Sequence, residues 1–403
     1  MALMPVADAL SAILNGAKPL PEEMVALDSA HHRVLARDVA ARRTQPPQAM
    51  SAMDGYAVRA SDATDVTARL KVIGEVAAGR PFERTVGAGE AVRIFTGGVI
   101  PDGADAVIIQ EDTAIDGDFI TITEAAAKGR HIRAAGVDFR EGDVLLVKGS
   151  RLTDRALSLA AGMNYPELAV HRRPKVAVLA TGDELVMPGT VPGPGQIVYS
   201  NGYALRALAR AEGAETIDLG IATDTVAATT AGIRRARDAG PDILITIGGA
   251  SVGDHDLVKR SLESEGLAMA FWRIAMRPGK PMMHGHLGAM RVIGLPGNPV
   301  SSYVCAFLFL VPLIRALSGC STIHHAKETA VLGRDVPAND QREDYLRARL
   351  EQRTDGALIA TPVSHQDSSL LGNLAAARAL VIRPPLAPAA AQGSTCDILR
   401  LPE

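Results

Sequence analysis

Residues 242–256, DILITIGGASVGDHD, hold the densest set of groups able to do chemistry. A β-branched or apolar run, 243–247, ends at Gly248 and Gly249, and Ser251, Gly253, Asp254 and Asp256 follow before a helical stretch. A strand, a glycine-rich turn and a helix start form a place where phosphate can approach backbone N–H groups. The same residues also read as a plain tight turn with Asp254 as a cap. Other polar groups recur at matching points: Thr181, Gly182, Asp183 and Glu184 after one apolar run, Asp224 after another, and Pro296, Gly297 and Asn298 before Pro299. Between them, Arg277, Lys280 and Pro281 set two cations on a Pro/Gly frame. Carboxylates repel a phosphorylated ligand unless a divalent cation bridges them, and Mg²⁺ is the usual solution. Arg277 and Lys280 would then neutralise a bound oxyanion and charge developing on phosphorus.

The elements that must position these groups have α/β grammar. Apolar runs at 175–180, 216–220, 243–247, 269–273 and 290–294 read as strands. Helical stretches lie between them, one opening at Ser200 and Asn201, which read as a cap, and one spanning 225–239. A long apolar helix follows Pro299, and proline at a first helical position leaves the next amides free to face an anion. Strand and helix alternate at βαβ spacing, so this part is expected to be a doubly wound sheet binding its ligand outside the carboxyl ends of the strands. Earlier, 6–14 and 22–27 show helical spacing. Short glycine-broken strands over 70–123 argue a small all-β module, entered by a Pro-initiated loop that ends in Asp54-Gly55-Tyr56. Asp138 follows in a Gly-Val-Asp turn, and short strands return after about 327.

Composition narrows the classes. Of 403 residues 47% are hydrophobic and 3% aromatic, and 42 Lys+Arg face 45 Asp+Glu. No basic footprint or stacking platform for nucleic acid is visible. Three cysteines, Cys305, Cys320 and Cys396, lack paired spacing, which argues against a disulfide framework or cysteine zinc site and for a reducing cytoplasm. The start, 4–14, is amphipathic and carries Asp8, unlike a secretory signal. The longest apolar run, 304–314, is too short to span a bilayer. P-loop and dinucleotide fingerprints are both absent.

Together, Met53-Asp54-Gly55-Tyr56-Ala57, Thr181-Gly182-Asp183-Glu184-Leu185, Gly195-Gln196-Ile197 with Ser200-Asn201, the turn 248–254, Pro278-Gly279-Lys280-Pro281 and Leu295-Pro296-Gly297-Asn298-Pro299 resemble the bacterial MoeA family. These are the molybdopterin molybdenumtransferases, similar to the E domain of gephyrin and its plant counterpart. The likeness covers nearly the whole chain. It implies a multidomain α/β protein with a helical N-terminal domain (1–44 and 138–172), a β-rich insertion (45–137), a molybdopterin-binding α/β domain (173–326) and a small C-terminal β-barrel-like domain (327–403). It implies insertion of molybdenum from molybdate into adenylylated molybdopterin, with release of AMP and Mg²⁺ assistance. The implied partners are a second copy, the molybdopterin adenylyltransferase and acceptor molybdoenzymes.

By the same resemblance, Asp54, Asp138, Glu184, Asp224, Asp256 and Lys280 are active-site residues, with Asp224 and Asp256 at the metal. Thr181, Gly182, Asp183, Ser200, Asn201, Gly248, Gly249, Ser251, Gly253, Asp254, Pro296, Gly297 and Asn298 would hold the pterin substrate. Arg277, Lys280, Pro281, Arg347, Ser368 and Ser369 would hold molybdate. Three positions depart from the family pattern: Arg277 where lysine is usual, Ile247 where serine is common, and Thr225 where a second acid or amide is frequent. A pyrophosphatase of the competence-damage-related kind and a partner-binding scaffold are the competing readings.

Overall fold

The computed structural model describes residues 3–77, 79–248 and 257–402. Its centre is a six-stranded sheet of β1 (Lys175–Thr181), β2 (Glu215–Ala222), β3 (Ile243–Ile247), β4 (Ala268–Trp272), β5 (Met283–Leu287) and β6 (Met290–Leu295), in the order β2-β1-β3-β6-β5-β4. The first four in that order are parallel. Strands β5 and β4 run antiparallel at one edge. Both faces are covered, which is why β1 is apolar from Val176 to Ala180 and β3 is apolar but for the buried Thr246. Val176, Val178, Ile243, Ile245 and Ile247 enter one core with the helix Pro299–Leu317, while Ala177, Leu179 and Leu244 enter the other, beneath the helices Val226–Ala239 and Leu257–Ser264.

The sequence pattern predicts only five strands here. It misses β5, whose Met-His-Gly-His-Leu has neither β-branched residues nor a clean alternation. The edge strands also make the sheet mixed instead of wholly parallel.

The helix Pro299–Leu317 has 19 residues and a mean hydropathy of 1.9, long and apolar enough by composition to cross a membrane, yet 89% of it is buried inside the protein. Its apolar surface is spent on the sheet and on the N-terminal helix Val6–Leu14, whose Ala9 and Ile13 join the same core. That helix therefore packs with the α/β part, not with the rest of segment 1–44.

Segment 22–27 is a second departure. Glu22–Ala26 is a strand, paired antiparallel with Glu167–His171. Its spacing suits a helix as well as a strand, and the partner strand, 149 positions away at Glu22↔His171, decides between them.

The insertion is a six-stranded sheet in which Gly55–Val58 lies between Glu90–Ile94 and Ala106–Ile109. A Cβ on Gly55 would sit 1.9 Å from the Ile108 carbonyl oxygen, so only glycine can follow Asp54. In the C-terminal part, Glu343–Gln352 pairs with both Leu358–Pro362 and Ala379–Arg383, closing a five-stranded barrel through Lys327–Leu332 and Thr395–Arg400. The short strand Met276–Arg277 pairs with Glu343 and Asp344 and ties the barrel to the loop carrying Lys280.

Candidate active site

A crevice of about 700 Å³ opens at the carboxyl ends of β1, β3 and β6. From β1 the chain goes outward to β2 and then crosses to β3 on the other side, so the crevice lies at a switch in strand order, where open α/β sheets bind ligands.

Thr181, Gly182 and Glu184 line it from β1, Asp224 from the end of β2, Gly248 from β3, and Pro296, Gly297 and Asn298 from β6. Ser200, Asn201, Pro281 and, from the barrel, Ser369 complete the expected set. Residues 249–256, with Gly249, Ser251, Gly253, Asp254 and Asp256, lie outside the described residues.

Local bonds set the walls. Gly248 has φ +89°, and a Cβ there would lie 2.6 Å from the Thr181 carbonyl oxygen. Gly248→Ala is therefore expected to cost about 1–2 kcal/mol in backbone strain alone, checked as a lowered calorimetric midpoint. Asp183 does not line the crevice. Its carboxylate accepts the Asp224 amide at 3.0 Å and so holds the loop that presents Asp224.

Ser200 does not cap the helix Asn201–Ala211 through its side chain. Its hydroxyl lies 3.3 Å from Asn201 Oδ1, and Asn201 Nδ2 donates to the Gly297 carbonyl at 2.7 Å, so the pair joins two walls instead. The amide of Val300, expected to be free for an anion, donates to the Ser368 carbonyl at 3.0 Å. Asn298 Nδ2 donates to the Ser368 hydroxyl at 2.9 Å. These bonds sew the barrel to the sheet, and Ser369, its amide and hydroxyl held by Asp367, remains on the crevice.

Two departures from the family pattern find structural uses. The Thr225 hydroxyl accepts the Ala228 amide and caps the helix Val226–Ala239. Ile247 is buried, packed in the core under the helix Pro299–Leu317.

The cations differ from one another. Arg277 does not line the crevice: it makes a two-pronged pair with Asp344 and also reaches Asn339. Its planar fork suits a carboxylate, which explains arginine here in place of a compact ammonium. Lys280 is half-buried and does not line the crevice, although Pro281 after it does, and among the described residues its ammonium has no ion pair.

Arg347, only 1% exposed, does not line the crevice either. It donates from Nη2 to the Asp367 carbonyl, its amide is held by Gln366, and among the described residues its Nε has no partner. Burial pulls this guanidinium down to about 10, still charged at neutral pH. A buried cation that among the described residues has no ion pair marks ground prepared for an anion.

Asp54 and Asp138 lie on the insertion and at its return, exposed, and neither lines the crevice. Thr96, which the motif reading passed over, gives both its amide (2.7 Å) and its hydroxyl (2.8 Å) to one oxygen of Asp54. Those bonds hold the Asp54 carboxyl below its ordinary value. Thr96→Val removes one of them and should raise the Asp54 carboxyl toward the usual range, read by ¹³C NMR titration.

Among the described residues no three His, Cys, Asp or Glu side chains cluster tightly enough to cage a metal. Glu184 and Asp224 nevertheless offer hard oxygen donors on one crevice, which fits Mg²⁺ held by one or two carboxylates and completed by ligand oxygens.

Family models cover the chain in three pieces: the MoeA N-terminal region (domain I and II) matches residues 4–163, a probable molybdopterin binding domain 177–316, and the MoeA C-terminal region (domain IV) 329–401. The chain is 35% identical to the molybdopterin molybdenumtransferase of Bacillus subtilis over 99% of its length and 94% of that protein. It is 40% identical to the Haemophilus influenzae protein of the same name over 75% of this chain and 74% of that one. The crystal structure of a molybdopterin biosynthesis MoeA protein from Pyrococcus horikoshii superposes with a TM-score of 0.84 at 28% identity, covering 99% of this chain and all of that one. With its crevice on the molybdopterin-binding domain and both flanking regions matched end to end, the chain belongs to the MoeA family, the molybdopterin molybdenumtransferases of molybdenum cofactor biosynthesis.

Proposed function

We propose that this chain inserts molybdenum from molybdate into adenylylated molybdopterin, releasing AMP and the molybdenum cofactor, with Mg²⁺ as the assisting metal. The observation that carries the reading is the crevice itself. One rim carries Glu184, Asp224 and Gly248, and the crevice is also lined by Ser369 of the barrel and by Pro281, the residue that follows Lys280. Such a site accepts two negatively charged reactants side by side.

Glu184 and Asp224 would hold the Mg²⁺, with Asp256 as the further ligand the family likeness implies, and the metal when bound neutralises phosphate charge and polarises a phosphoryl oxygen. Asn201 and Gly297 fix the width of the pterin wall through their 2.7 Å bond. Lys280 supplies a positive charge toward molybdate, and Arg347 orients the 366–369 turn that carries Ser369 while adding its buried charge behind it. Arg277 acts through the barrel, by fixing Asp344 beside the Lys280 loop.

The proposal includes a homodimer. Asp54 and Asp138 are exposed and outside the crevice of their own chain, so a second copy is the arrangement by which they would act at a crevice. It also includes a cytoplasmic setting, consistent with three free cysteines, and the molybdopterin adenylyltransferase and acceptor molybdoenzymes as partners.

The test is direct: the protein is incubated with adenylylated molybdopterin, molybdate and Mg²⁺, and AMP is measured. Release that requires all three components is expected. Tight binding of the pterin without AMP would overturn the enzymatic reading in favour of a scaffold.

A further inference from the structure

A second cavity, of about 490 Å³, lies where the N-terminal module, the end of the helix Pro299–Leu317 and the barrel meet. Its size falls within the range of small-molecule sites, which favour domain junctions. Two of its arginines share one carboxylate. Arg315 donates to the Glu212 carboxylate from Nε (3.0 Å) and Nη2 (2.7 Å), and Arg151 donates to the same carboxylate from Nη2 at 2.7 Å. Arg400, also on the cavity wall, pairs separately with Glu328. Among the described residues, the two guanidiniums of Arg151 and Arg315 thus share the single carboxylate of Glu212 in one partly desolvated place.

We propose that this junction pocket binds a small tetrahedral oxyanion, of the phosphate and molybdate class, between Arg151 and Arg315. Arginine's fork matches such an anion. A guanidinium carries five N–H donors, and Arg151 spends three, on the carbonyls of Ala211 and Glu212 and on the Glu212 carboxylate. The others can meet a ligand oxygen, and exposed His324 on the rim offers another group. An occupant here would touch all three parts of the chain and fasten them together. The site is distinct from the crevice and shares no lining residue with it.

Cys320 lines the pocket and is partly accessible, whereas Cys305 and Cys396 are buried, so one thiol reports on occupancy and two serve as controls. The full-length protein is treated with iodoacetamide in rising inorganic phosphate, at ionic strength held constant with chloride, and alkylation of Cys320 is followed by mass spectrometry. A parallel series uses molybdate.

Saturable slowing of Cys320 alkylation, fivefold or more, is expected. Arg151→Gln should weaken the apparent affinity about tenfold, equivalent to about 1.4 kcal/mol, and Lys280→Ala should leave it unchanged because that residue serves the other site. Half-protection at lower molybdate than phosphate identifies the pocket as a holding place for the reaction's own oxyanion, and the reverse order identifies phosphate as the ligand. Absence of saturable protection by both anions, or equal protection in Arg151→Gln, overturns the proposal. Should Arg151→Gln fail to melt cooperatively, His324→Ala replaces it, and unchanged affinity there counts against the site in the same way.

Discussion

Lys280→Ala is expected to slow AMP release by about a hundredfold or more while leaving the melting profile where it was. The size follows from losing a preorganised charge beside the crevice, since removal of a single stabilising donor commonly costs two to three powers of ten in rate. The preserved fold follows from the position. Among the described residues the ammonium makes no ion pair, and what the chain needs from residue 280 is its carbonyl, which accepts from the amides of Ile274 and Met282. Alanine keeps that carbonyl. Lys280→Arg should recover part of the rate, since the charge returns on a different shape. A kinetic series with molybdate varied at saturating pterin substrate separates the cases. Full activity in Lys280→Ala would remove Lys280 from the site, and a loss of activity matched by a loss of melting midpoint would make its role structural.

The second large effect concerns the joint between domains. Glu212→Gln is expected to cost about 3 kcal/mol, the size seen when one partner of a buried ion pair is deleted. The carboxylate is 14% exposed, and it takes bonds from Arg315 and from Arg151, which arrive from different parts of the chain. Glutamine leaves two guanidiniums facing each other with half the acceptors.

The same carboxylate gives a pH signature. Burial raises its pKa, but the bonds and charges of Arg315 and Arg151 outweigh burial, and the net shift is downward from 4.5. A lowered folded-state value means stability that is present above about pH 4.5 and is lost as pH falls through the folded value. Wild type should therefore lose midpoint steeply in acid, and Glu212→Gln should start lower and lose less over the same interval. Parallel acid curves for the two proteins would show that the carboxylate does not act as described.

How much of this was legible beforehand depends on where each residue's partners lie. Strands β1 and β3 could be read from local pattern because burial on both faces favours a near-continuous apolar run, broken within β3 only by Thr246. The crevice residues Glu184, Asp224 and Asn298 could be read because each follows such a strand. Strand β5 could not, since it is held by its neighbours β4 and β6 and not by its own propensities. Arg277 shares a Pro/Gly frame with Lys280 and stands where the family has lysine, which assigns it to the oxyanion, yet Asp344, 67 positions on, takes its guanidinium. Thr96 was invisible as a functional group because nothing near it in sequence reveals that Asp54 is its acceptor.

Sequence alone determined the alternation of buried strands and helices, the glycine positions at which the backbone must turn or approach closely, and the family to which those motifs belong. These depend on neighbours a few residues apart, where spacing and side-chain type suffice. Only the tertiary structure decided which charges face the crevice, which are consumed in pairs such as Arg277 with Asp344, and which, like Arg347, stay buried with no ion pair among the described residues. Electrostatic roles depend on distance in space, and folding brings together charges that chain order keeps far apart.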